Sequence, residues 1–263
     1  MNSVLPRGQV LQRVLSADPE QSYRLYIPLS GMDGGVLVCA HGLNDDGSKL
    51  LDQLQPFCEQ AGLTLLIPHF HKRGYQQLMP VRSDRQLDLC VAEVGALLDV
   101  NVSKFSLFGY SAGAQFAHRY VMAYPHRVRR AVIAGSGWYT FPTPSERYPY
   151  GIRASRKSPI AFNPEYFLTV PILVLIGSKD TERRNLRATE RVNENQGFTR
   201  LDRARRWVIA MQEAALAHSV PPMVRLHVVD GVGHKFSDFC QNGGLCQIVS
   251  QFAADEAPSI WPA

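Results

Sequence analysis

The segment Gly109-Tyr110-Ser111-Ala112-Gly113 sets a serine between two glycines. It lies where the apolar run Phe105-Ser106-Leu107-Phe108 gives way to a helical pattern. A sharp strand-to-helix turn strains the backbone of its central residue and holds that side chain proud of the sheet, where a hydroxyl can attack a carbonyl carbon. Side chains in place of the glycines would collide with the turn. The helix start adds partial positive charge beneath the oxyanion such an attack creates. Ser111 is therefore read as a nucleophile, in preference to an ordinary glycine-rich helix start.

A serine alcohol is a weak nucleophile at neutral pH, so it needs a base, and the base needs an orienting group. Downstream, the apolar run 172–176 ends in Gly177-Ser178-Lys179-Asp180. Asp180 thus falls on a loop at the carboxyl end of a strand, where open α/β sheets carry their sites. Glu182 and Asp202 are its rivals as the acid, and a helix N-cap is the alternative role for Asp180. Three histidines follow. His218 ends a helix, and His227 lies inside the last apolar strand, where packing would claim it. His234 closes Asp230-Gly231-Val232-Gly233-His234, a glycine-flexed loop from which an imidazole can reach over the sheet edge. His234 is the expected base and Asp180 the expected acid.

Run 36–40 leads into His41-Gly42-Leu43-Asn44-Asp45-Asp46-Gly47. The backbone N–H groups of Leu43 and Ala112 are the expected oxyanion donors, and Asn44 is a candidate substrate contact. His41 is read as a structural hydrogen-bonding residue, and Asp45 and Asp46 as turn formers.

These residues need a scaffold that brings distant loops to one sheet margin. Near-continuous apolar runs at 36–40, 63–68, 105–109, 131–134, 172–176 and 226–229, with a weaker alternation at 23–28, predict strands of a mainly parallel sheet. Helical spacing predicts helices at 48–61, with Pro56 as a kink or break, and at 84–98, 112–124 and 200–218. The last has Leu201, Trp207, Val208, Met211 and Leu216 as its expected buried stripe. Strands alternating with helices define an α/β class with helices on both faces of the sheet. No linker or repeat divides residues 1–263, so one domain is expected. An aromatic and Pro-rich insert is expected at about 138–169.

Composition narrows the function classes. With 45% hydrophobic and 19% charged residues, the chain has a globular composition. No apolar run approaches the roughly 20 residues that span a bilayer, and residues 1–10 lack a secretory h-region. Five cysteines, an odd number, suit a reducing compartment, so a cytoplasmic protein is expected. A Cys240–Cys246 bridge in an exported form is the alternative. The net charge of +5 gathers among the arginines at 183–206, where acidic residues are interleaved. A solvated, partly self-paired face is the expectation, and an anionic partner or acidic substrate the alternative. No nucleic-acid module accompanies the charge. His69-Phe70-His71 offers no full metal-ligand set, so no metal is expected.

From about Arg24 to Phe239 the chain resembles the α/β-hydrolase superfamily of serine esterases. The resemblance rests on His41-Gly42, Gly109-Tyr110-Ser111-Ala112-Gly113, Tyr124-Pro125, the apolar strand with glycine-rich exit at 131–137, and Gly231-Val232-Gly233-His234. Within that superfamily it loosely resembles the polyhydroxyalkanoate depolymerase and feruloyl esterase group. The resemblance implies the chain order serine, acid, histidine, and hydrolysis of a small-molecule or polymer-derived carboxylic ester through an acyl-serine, with no cofactor. A thioesterase, peptidase or acyltransferase would use the same machinery, and a binding protein on this fold is the remote alternative. The resemblance also puts Trp138 and Tyr139 beside the acyl site, as candidate substrate contacts.

Overall fold

The computed structural model describes residues 5–154 and 160–254. Residues 1–4, at the start of the segment read for a leader, and residues 155–159 of the expected insert lie outside the described residues. The described residues form one eight-stranded sheet in the order β1-β2-β4-β3-β5-β6-β7-β8. The strands are β1 (Val10–Leu15), β2 (Asp18–Tyr26), β3 (Gly35–Ala40), β4 (Leu63–Pro68), β5 (Phe105–Tyr110), β6 (Val128–Ala134), β7 (Ile172–Gly177) and β8 (Val224–Val229). β2 runs antiparallel to both β1 and β4, and the pairs from β4 to β8 are parallel.

The helices are α1 (Ser48–Gln60), α2 (Ser83–Leu98), α3 (Ala112–Ala123), α4 (Pro164–Phe167), α5 (Glu190–Gln196), α6 (Arg200–Ala217), α7 (Phe236–Gly243) and α8 (Leu245–Ala254). Period-two alternation divides the apolar residues of each central strand between two cores. On one face Val36, Val38, Leu107, Val174 and Ile176 pack with residues of α2, α3 and α6, among them Val91, Phe116 and Trp207. On the other, Leu37, Cys39, Phe108, Leu173 and Leu175 pack with Leu54 and Cys58 of α1 and Val249 and Phe252 of α8. Both faces are covered, which is why the central strands read as unbroken apolar runs.

Some expectations are corrected. α1 continues through Pro56 to Gln60 without a break. In α6 the buried stripe ends on Ala215, while Leu216 is 67% exposed, because residue 215 falls four positions after Met211 and so stays on the inner face. His227 is exposed on β8, since that strand forms the sheet edge. Asp202 forms a reciprocal capping box with Thr199 at the start of α6.

Candidate active site

Ser111 occupies the single residue between β5 and α3, with φ 55° and ψ −110°. A positive φ is costly for a residue with a side chain and persists only where the surroundings enforce it. Here they do. A Cβ on Gly113 would sit 1.9 Å from the Ala40 carbonyl oxygen, and one on Gly109 would sit 2.2 Å from the Gly113 carbonyl oxygen. Only glycine lets α3 press this closely against β3 and β5. The Ser111 N–H is tied to the Ala134 carbonyl at 2.9 Å, which fixes the turn to β6.

Ser111 Oγ lies 3.1 Å from His234 Nε2, and His234 Nδ1 lies 2.8 Å from Asp180 Oδ2. The three residues expected to cooperate are thus brought into one relay from loops after β5, β7 and β8. The shorter contact to the carboxylate places the imidazole proton on Nδ1, so Nε2 faces the hydroxyl as an acceptor. Asp180 is 2% exposed. The His234 ring stacks on Tyr110, with centroids 5.6 Å apart, and the Tyr110 hydroxyl donates to the His234 carbonyl. Gly135, with φ +61°, leaves room for the ring: a Cβ there would lie 3.2 Å from His234 Cε1.

Arg200 is a member of the site that the sequence reading left on a solvated face. It is 4% exposed, and its Nη1 lies 3.4 Å from Asp180 Oδ1, so the acid faces a cation as well as the imidazole. Arg203 is likewise buried and donates to the carbonyls of Gly137, Arg187 and Gly197. Part of the arginine-rich segment therefore holds the loop after Asp180 in place. Of the rival acids, Asp202 is committed to its capping box, and Glu182 is exposed.

The relay opens on a cleft of about 740 Å³ whose lining includes Leu43, Asn44, Ala112 and Trp138. The loop bearing Leu43 is anchored through His41. The Phe70 N–H donates to His41 Nε2 at 2.9 Å, so Nδ1 carries the proton and donates to the Gly42 carbonyl at 2.8 Å. Burial holds the His41 pKa below its usual value, which keeps the ring neutral. Asn44 has φ 57°, a left-handed conformation that Asn tolerates. Trp138 and Tyr139 part company. Trp138 is on the cleft wall, whereas Tyr139, expected beside it, is fully buried, stacked on Trp207 at 4.8 Å and bonded through its backbone to Gln196. Trp207 and Gln196, both distant in sequence, claim Tyr139 for the core.

A mainly parallel eight-stranded sheet in this order, with a serine on the turn after the fifth strand, is the α/β-hydrolase fold. No protein-family model and no curated protein matches the chain. Among solved structures it is similar to a poly(3-hydroxybutyrate) depolymerase from Bordetella parapertussis, with 24% identity and a TM-score of 0.77 over 94% of this chain and 90% of that one. It is also similar to poly(aspartic acid) hydrolase-1 from Sphingomonas sp. KT-1, with 22% identity and a TM-score of 0.74 over 90% and 97% of the two chains. A third is an esterase from the archaeon Pyrobaculum calidifontis, with 16% identity and a TM-score of 0.61 over 95% and 85%.

Proposed function

We propose that this chain is a serine hydrolase that cleaves carboxylic esters through an acyl-Ser111 intermediate. The observation that carries the reading is the relay from Ser111 Oγ to His234 Nε2 at 3.1 Å and from His234 Nδ1 to Asp180 Oδ2 at 2.8 Å. As Ser111 Oγ attacks the ester carbonyl, its proton passes to His234 Nε2, and Asp180 stabilises the imidazolium that forms. The carbonyl oxygen becomes an oxyanion facing the N–H groups of Leu43 and Ala112. The first N–H groups of a helix have no intrahelical acceptor, which suits Ala112, at the start of α3, to this role. The tetrahedral adduct collapses, and the alcohol leaves with the proton from His234. Water, deprotonated by His234, then attacks the acyl-serine; the bond from the acyl carbon to Ser111 Oγ breaks, His234 returns the proton to Oγ, and the acid is released.

Similar structures named as a poly(3-hydroxybutyrate) depolymerase and an esterase support an ester substrate, beside one named as a poly(aspartic acid) hydrolase. Trp138 and Asn44 are the proposed substrate contacts, on cleft position. No helix among the described residues is long and apolar enough to cross a membrane. A cytoplasmic setting is supported by the odd number of cysteines, five, which suits a reducing compartment.

The test is pre-steady-state mixing with 4-nitrophenyl acetate. A burst of nitrophenolate close to one equivalent of enzyme, lost in Ser111→Ala, is the expected result. Undiminished turnover in that variant would remove Ser111 from the chemistry.

A further inference from the structure

The mechanism above leaves most of the cleft's charge unused. Its wall carries Lys49, Arg184, Arg187 and Arg200 against Asp45 and Glu182. Arg200 is matched by Asp180. Lys49, Arg184 and Arg187 have no carboxylate within salt-bridge distance among the described residues, in contrast to Arg191 just beyond, which pairs with Glu146.

Arg187 is the placed member of this set. Its guanidinium lies 4.9 Å from the Trp138 ring centroid, its Nη2 donates to the Tyr150 hydroxyl at 3.1 Å, and Arg203 holds its carbonyl at 2.9 Å. A second guanidinium, that of the fully buried Arg119, lies 4.3 Å from the same indole centroid. Arg119 bonds only neutral acceptors, the Thr140 hydroxyl and the carbonyls of Gln76 and Gln115, and its Nη2 is buried without a partner. Two cations thus lie against one indole of the cleft wall, and no carboxylate among the described residues is within salt-bridge distance of either. Arg119 is fully buried, and cation–π contact returns only part of the cost of desolvating its guanidinium, whereas Arg187 is exposed and its charge is open to a ligand in the cleft.

We propose that the ester taken by this cleft carries a carboxylate, received by Arg187 beside Trp138, with Arg119 adding a fixed positive potential from the core. The inference rests on the Ser111 reading for the bond that is cut. A planar guanidinium fork matches the two oxygens of a carboxylate and is preorganised here by stacking on Trp138. The alternation of arginine with acidic residues at 183–206, read from the sequence as a solvated face, therefore conceals one turned to substrate.

The test compares matched esters. The 4-nitrophenyl monoester of glutaric acid is set against 4-nitrophenyl valerate, which places the charge on the acyl side. The pair 4-acetoxybenzoate and its methyl ester places it on the leaving alcohol. The expected result is a ratio of kcat/KM, charged over neutral, of at least tenfold in one pair, expressed mainly in KM. Arg187→Gln brings that ratio to near one, and Arg187→Lys leaves it between the two. Arg205→Gln removes the same charge from the exposed side of α6 and preserves it. Isothermal titration of the same uncleaved esters into Ser111→Ala provides a readout without turnover, with the charged ester of the preferred pair binding at least tenfold more tightly. Ratios near one in both pairs of the wild type, or a ratio unmoved by Arg187→Gln, would overturn the proposal. Failure of the Ser111 reading looks different: no ester turns over through Ser111, while the binding preference in Ser111→Ala persists.

Discussion

Gly135 offers a way to move the imidazole of His234 without touching a relay residue. Its φ is +61°, and a Cβ there would meet His234 Cε1 at 3.2 Å and Nδ1 at 3.3 Å. Gly244 has nearly the same φ, +62°, with nothing within 4 Å of the position its Cβ would take. Alanine at either site pays the same left-handed backbone cost, about 1–2 kcal/mol. That corresponds to a loss in Tm of about 2–8 °C for a domain near this size. Only Gly135→Ala adds a contact that must be relieved by a few tenths of an ångström of ring movement. Ser111 Oγ and His234 Nε2 already stand at 3.1 Å. With about 10²-fold in rate per ångström of misplacement, that movement is worth roughly three- to tenfold in kcat. Steady-state kinetics on a 4-nitrophenyl ester, with thermal melts of both variants, makes the comparison. Equal melts with kcat reduced only in Gly135→Ala is the expected outcome. Equal kcat in the two variants would refute the coupling of ring position to rate.

Other expectations are equally direct. Asp180→Asn should lower kcat by about 10⁴-fold with the fold intact, because the amide favours the wrong imidazole tautomer; a loss of less than tenfold would show that Asp180 does not orient the base. Tyr139→Phe should leave KM unchanged, since the ring is fully buried and stacked on Trp207 away from the cleft; a raised KM would return Tyr139 to the substrate site. Stability should fall as pH drops from 7 to 5.5. Burial holds His41 and His118 below their usual pKa, so only the unfolded chain takes up protons near pH 6.5. Two such groups give a slope approaching about 2.7 kcal/mol per pH unit, measured by urea midpoints, and a flat profile would mean that the folded rings accept the protons.

What the sequence disclosed follows from how local each signal is. The strained serine turn is written in five adjacent residues, because its glycines are demanded by backbone contacts with β3 and with α3's first turn. The histidine loop and the strand-end aspartate are similarly local. Burial on both faces made the central strands legible as apolar runs. β1 was not, since its outward side carries Val10 and Val14, both exposed, while Arg13 occupies the inward register. α8 carried a readable signal in Leu245, Val249 and Phe252, spaced i, i+4, i+7, beyond the segment that the resemblance covered. Arg200 and Arg203 have the composition of a solvated face. Their burial follows from carbonyl acceptors on loops distant in sequence and, for Arg200, from Asp180, which no helical periodicity reveals. Tyr139 is held in the core by stacking on Trp207 and backbone bonds to Gln196, partners too distant in sequence for local spacing to reveal.

The acyl-serine mechanism requires a covalent bond between Ser111 Oγ and the acyl carbon. Intact-protein mass spectrometry after rapid acid quenching of a 4-nitrophenyl acetate reaction measures this directly. The expected result is a mass increase of one acetyl group that peptide mapping assigns to Ser111 and that is absent from Ser111→Ala. Turnover with an unmodified Ser111, or acetylation retained in the variant, would contradict it.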